Sequence, residues 1–215
     1  MMGAMSYPVS AVVEPQLENR DRLTTAFRLI LAIPHLILVG AVGLGFAANS
    51  ESHENLSFGG EAGLLGGIAF LLAIVSWFTI VISSEHYIPI RRFTRFYLRW
   101  RVRALTYLML LSDQYPPFGD ASYPAALTLE DRGTPRDRLT VALRVILAIP
   151  HFFALFFIVC VWWLLTAIAW FAILLTGRHP RALYDFGAAA LRWLIRVEAY
   201  MLLMVDEYPP FSLSS

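Results

Sequence analysis

The chain is written twice. Arg20-Asp21-Arg22-Leu23-Thr24 reappears as Arg136-Asp137-Arg138-Leu139-Thr140, and Ile30-Leu31-Ala32-Ile33-Pro34-His35 returns letter for letter as Ile146 to His151. Trp77-Phe78 matches Trp170-Phe171, and His86 matches His179. Leu98-Arg99-Trp100 matches Leu191-Arg192-Trp193, followed by Arg103/Arg196, Tyr107/Tyr200, Asp113/Asp206 and Tyr115-Pro116-Pro117-Phe118 against Tyr208 to Phe211. Such a repeat commits the chain to two similar units, repeat one over 1–118 and repeat two over 119–215. The offset is 116 before the first His and 93 after the Trp, so repeat one carries 23 additional residues. They fall at about Ala47–Gly67, a loop with Glu51, His53, Glu54 and Glu61 and no Arg.

What the units are made of follows from polarity. Hydrophobic residues make up 58% of the chain and charged ones 15%, against roughly 45–50% and 25% in soluble domains. This excludes a disordered chain and predicts a membrane protein. A formal net charge of +1 argues against nucleic-acid binding. All 17 basic residues are arginine, whose planar guanidinium suits phosphate headgroups. The lone Cys160 lies in an apolar run, leaving no intrachain disulfide.

In repeat one, Leu23–Ala48 and Ala62–Ser83 are apolar runs flanked by Arg20/Arg22 and Arg91/Arg92, with an acidic connection. The second would be about 33 Å long as a helix, enough for a bilayer core of roughly 30 Å. Arginines at both outer ends place those ends in the cytoplasm and the 47–67 loop outside, as a transmembrane hairpin. In repeat two, Leu139–Gly177 is apolar except for Arg144, Pro150 and His151. By analogy it is a second hairpin, spanning at about 139–156 and 158–177 with its turn near Ala154–Cys160. No Gly, Pro or Asn marks that turn, and a flat Arg138–His151 followed by one span is the competing picture.

A third helix follows each hairpin, at about 91–111 and 183–205. In the first, Arg92, Arg95, Arg99 and Arg103 form one stripe, with Phe93, Phe96, Tyr97, Trp100, Leu105 and Leu108 opposite. Four arginines at bilayer depth would cost about 2.5–3.5 kcal/mol each, so both helices are expected to lie in the interface plane. Arg192 and Arg196 repeat the headgroup contacts. Short extended segments, Tyr7–Glu14 and Tyr123–Glu130, precede the hairpins and are able to pair with each other. With no cleavable signal segment expected, the chain reads as a multi-pass protein of a bacterial cytoplasmic membrane, both termini cytoplasmic.

Arg28-x-Ile30-Leu-Ala-Ile-Pro-His35, Arg99-Trp-x-x-Arg103-x-x-x-Tyr107 and Tyr-Pro-Pro-Phe resemble a widespread bacterial membrane family, many members actinobacterial, catalogued only as a domain of unknown function. Repeat two is the better fit; repeat one departs at its insertion and at Ser83-Ser84-Glu85. The resemblance implies a membrane fold and brings no activity or catalytic residues.

Thr24, Arg28 and His35 share one helix face, and Thr140, Arg144 and His151 repeat it. Ionisable groups within spans are costly and commonly functional, so these six are candidates for a polar seam toward a cavity. Alternatively the arginines snorkel to phosphates and the histidines bond carbonyls freed by the prolines. Asp113 and Asp206 either end the third helices or pair with an arginine. No metal site, cofactor or catalytic constellation is expected. The preferred function is a non-catalytic accessory or scaffolding subunit of a larger membrane complex that contacts anionic lipid. The alternative is a small transporter or lipid-handling protein with its site between the repeats.

Overall fold

The computed structural model describes residues 7–42, 63–83, 87–119, 121–130 and 138–213. The chain is mostly helical. β1 (Val9–Val13) precedes α1 (Arg22–Ala26), α2 (Arg28–Val39), α3 (Gly63–Ser83) and α4 (Ile88–Leu108); β2 (Ala125–Leu129), α5 (Arg138–Thr176) and α6 (Arg181–Met201) follow. The extended segments do pair, β1 antiparallel to β2 with Ala11 opposite Leu127. Residues 47–62 of the expected loop lie outside the described residues, while 63–67 begin α3.

Repeat two is not a hairpin. α5 is one helix of 39 residues with Pro150 inside it, about 58 Å long at 1.5 Å per residue. Nothing between Ala154 and Cys160 breaks helical hydrogen bonding, and the long apolar run simply continues the helix. The first span expected over 23–48 is also corrected. Helix α1 closes at Phe27, and α2 stops after 12 residues at Gly40, whose φ of 74° suits glycine and ends the helix. The expected second span, 62–83, matches α3. The third helices match α4 and α6 with shifted ends.

Two hydrogen bonds show how α2 and α3 are related. Trp77 Nε1 on α3 donates to the Val141 carbonyl at the start of α5 (3.0 Å), and Trp170 Nε1 near its end donates to the Thr25 carbonyl on α1 (2.9 Å). Twenty-nine residues of helix separate Val141 from Trp170, on the order of 43 Å. Thr25 and Trp77 therefore stand at opposite ends of the molecule, whereas a hairpin would bring them together. Helix α3 instead continues the direction of α2, and its first residue abuts it: a Cβ on Gly63 would lie 2.4 Å from the Gly40 nitrogen. The buried stripe runs on without a change of face, through Arg28, Ala32, His35 and Val39 to Gly66, Ala69, Ser76 and Ile80. Helix α5 buries the equivalent Arg144, Ala148, His151, Leu155, Val159, Trp162, Ala169 and Ile173. Each repeat thus presents one long rod, and the two rods run antiparallel.

Helix α4 lies against α2 and α3, and α6 against α5. Their apolar faces go into the protein core rather than toward lipid: Tyr97, Leu98 and Leu105 are at most 1% exposed. The ribbon covers the far side of this second layer. Trp193 of α6 reaches α5 (on His151), while Tyr184, nine residues earlier and so on the opposite face, reaches the β1 carbonyl of Val13. The layers are rods, then α4 with α6, then the ribbon.

Candidate functional site

The repeated motif residues assemble into two matching clusters, each inside its own repeat. A tight turn makes this possible. Helix α4 closes with the Leu111 N–H on the Thr106 carbonyl and Leu110 in left-handed conformation (φ 61°); α6 closes alike, Met204 N–H on Ala199 with Leu203 at φ 60°. Strain at a non-glycine residue in this region needs compensation. Packing supplies it: Leu110 sits with Ala169 and Ile173, and Leu203 with Ile80 and Val141. These contacts tie each turn to the other repeat and aim the following aspartate back at the rods.

In repeat one, Arg28 is 1% exposed. Its guanidinium donates to Asp113 Oδ1 at 2.6 Å and to the carbonyls of Ser112 (2.7 Å) and Tyr107 (3.2 Å), and its Cζ stands 4.0 Å from the centre of the Tyr107 ring. Arg20 donates to both carboxylate oxygens of Asp113, at 2.7 and 2.8 Å, and the Asp21 N–H adds a bond of 2.9 Å. Burial pushes the Asp113 pKa up, but Arg20, the Asp21 N–H and the Arg28 charge outweigh it and hold the carboxyl below its ordinary value. In repeat two, Arg144 donates to Asp206 Oδ1 (2.9 Å) and the Tyr200 carbonyl (2.6 Å) and stands 4.3 Å over the Tyr200 ring.

The histidines sit seven residues, nearly two turns, further along. Trp100 Nε1 donates to His35 Nδ1 at 3.0 Å, and Trp193 Nε1 to His151 Nδ1 at 3.3 Å. An accepting Nδ1 means a neutral ring with its proton on Nε2. The Tyr-Pro-Pro-Phe segments wrap these rings. Phe118 stacks on His35 at 4.6 Å and Phe211 on His151 at 3.9 Å, with Tyr115 at 4.9 Å and Tyr208 at 4.8 Å alongside.

The six seam candidates therefore divide. Arg28, Arg144, His35 and His151 are buried and face the third helix of their own repeat, neither lipid phosphates nor the opposite seam. Thr24 instead joins the start of α1, its hydroxyl on the Asp21 carbonyl, and Thr140 is half-buried at the start of α5. Of the arginines assigned to headgroups, Arg92 and Arg99 are exposed, while Arg95, Arg103 and Arg192 are half-buried. Arg103 donates to the Gly119 carbonyl, and Arg192 to Ala188 at 3.1 Å. Arg196 is buried, 4% exposed, and reaches the Ser212 carbonyl.

Sequence reasoning missed the aromatic half of each cluster. Repetition of Trp100, Tyr107, Tyr115 and Phe118 as Trp193, Tyr200, Tyr208 and Phe211 was the available signal. It also missed the pair joining the third helices, Arg101 to Glu198 at 2.7 Å, with Tyr97 donating to the other carboxylate oxygen at 2.8 Å. No repetition signals that pair, because Leu194 and Leu105 stand at the equivalent positions. His179 is 5% exposed beside Tyr184, and burial drives its pKa down to about 4. Its counterpart His86, and His53, lie outside the described residues. Among the described residues, no three His, Cys, Asp or Glu side chains stand together to hold a metal.

A family model described as Domain of unknown function (DUF4389) matches residues 56–119 and 138–212. The chain belongs to this family and carries the domain in two tandem copies. No curated protein and no solved structure matches it.

Proposed function

We propose that this two-copy DUF4389 chain is a non-catalytic membrane protein, an accessory or scaffolding subunit that contacts anionic lipid. Two of its helices, α3 and α5, are long and apolar enough to cross a membrane. The observation that carries the reading is the fate of the polar groups that both copies repeat. Arg28 and Arg144 are taken up by Asp113 and Asp206, and His35 and His151 by tryptophans and stacked rings. A buried arginine bonded to carboxylate and carbonyls stabilises one arrangement of the chain. At 1% exposure each, Arg28 and Arg144 are closed off from a substrate in this arrangement. The transporter alternative needs the two seams to meet between the repeats, and each is turned toward its own third helix. Arg92, Arg95, Arg99, Arg103 and Arg192 remain the side chains for headgroups.

The test is isolation of the tagged chain from its own membrane in mild detergent, followed by native mass spectrometry. A stoichiometric membrane-protein complex that falls apart when the gene is deleted is the expected result. A solitary chain with a tightly held small anion, lost together with a measurable flux in His35→Ala and His151→Ala, would overturn it.

A further inference from the structure

We infer that the rods lie flat within one leaflet of an anionic bilayer, in contact with its acyl chains, and do not cross it; this rests on the lipid-contacting reading above. Length is the first reason. A helix of 39 residues is about 58 Å, nearly twice the hydrocarbon core. Fitting it across would need a tilt of about 59°, beyond the 0–40° that spanning helices adopt.

Placement is the second. The Trp77–Val141 and Trp170–Thr25 bonds set α3 beside the first half of α5, and the apolar second half of α5 toward α1. Helix α3 therefore lies beside only half of the apolar length of α5. A slab of roughly 30 Å perpendicular to the rods would leave about half of α5 outside it. A slab parallel to them holds both helices.

The third reason is charge. Tyr107 meets Arg28, Trp100 meets His35 and Arg101 meets the Val39 carbonyl, so α4 runs antiparallel to rod one. Val39 is the midpoint of that rod, and exposed Arg99 lies beside it. In a spanning pose Arg99 would face the bilayer centre, the costliest place for it. In a flat pose it stands one layer above the rods, at headgroup level, with Arg92. Below, Ile33, Ile37, Leu71, Ile149, Phe153 and Leu164 are exposed, on the side of the rods away from their buried stripe. The outer face of the ribbon, with Ser10 opposite Thr128, is left for water.

The first measurement uses the unmodified full chain in phosphatidylcholine bilayers with and without phosphatidylglycerol. Because α4 and α6 run alongside the rods, polarised infrared dichroism of the amide I band should place nearly all helix axes in the membrane plane. Axes along the normal would overturn the proposal. The second uses Leu139→Cys and Arg178→Cys, each in a Cys160→Ser background, in sealed vesicles with an impermeant maleimide. Labelling of both from the same side is expected, and protection of one from each side would overturn it. Flat helices whose binding is indifferent to phosphatidylglycerol would keep the orientation while removing the anionic-lipid reading.

Discussion

Repeat one and repeat two build the same rod by different means. In repeat two it is one unbroken helix, Arg138–Thr176; in repeat one the helix stops at Val39 and resumes at Gly63. With the offsets of 116 and 93, Val39 corresponds to Leu155 and Gly63 to Phe156, consecutive residues of α5. Residues 40–62 are thus the whole of the extra segment, inserted between two adjacent helical positions. The buried stripe keeps its register across that gap. Covalent continuity is not what aligns α2 with α3. Packing against α4 and α5 does, with a tryptophan bond at each end and an arginine–aspartate pair to hold the turn.

The comparison breaks most severely at the buried pairs. Arg28→Ala removes one of the two arginines on Asp113, leaving Arg20 in place, and strips the buried carbonyls of Tyr107 and Ser112 of their donor, so a loss of about 3 kcal/mol is expected. Arg144→Ala should cost less, because Asp206 is 21% exposed and water compensates part of the loss. Thermal unfolding in detergent compares the two; equal and small shifts would mean that neither pair holds its repeat. Acid should act through the same group. Asp113 has a folded pKa below its unfolded value, so its contribution is complete above the unfolded value and is lost as pH falls through the folded one.

Deleting residues 40–62 joins Val39 directly to Gly63 and should give a folded protein with one continuous rod. The expected cost is about 2 kcal/mol, for the bonds that Arg101 and Trp163 make to the Ala41 and Val42 carbonyls. Circular dichroism and the unfolding midpoint read the result. A deletion variant that cannot fold would restore the hairpin. Trp77→Phe and Trp170→Phe each remove one bond between the repeats and should cost about 1 kcal/mol apiece, with nearly equal midpoints. A clear inequality would show that the two ends of the molecule are not equivalent.

At neutral pH His179 gives the smallest effect. Its folded pKa of about 4 lies below the ordinary imidazole value of 6.5, so the unfolded chain binds the proton first. Stability then declines as pH falls from 6.5 toward 4, by about 1 kcal/mol one unit below the upper value. His179→Phe should flatten that slope in a pH series of unfolding midpoints.

Much of this was legible in the residues. The duplicated strings announce two units, and the apolar runs announce helices able to enter a membrane. The Tyr-Pro breaks mark the strands that pair. The arginine–histidine face was visible as a face, since Arg28 and His35 recur at helical spacing. Of its partners only the aspartates are foreshadowed, as helix ends or arginine partners. Which arginine they meet is not, nor that Tyr115 to Phe118 wrap the histidine, because Asp113 and this segment lie some eighty residues away and nothing local points between them.

What the sequence determined by itself is the list of helices and their duplication, since helix formation and apolar content are local properties. The tertiary structure alone decided whether consecutive helices fold back or run on. That choice depends on which surface each apolar stripe meets, and here α3 continues α2 because its buried stripe packs against α4 and α5 along that line. It also decided that four ionisable side chains on the rods are consumed inside the protein. A buried charge takes the nearest compensating group, and only the closed turns after α4 and α6 bring one within reach.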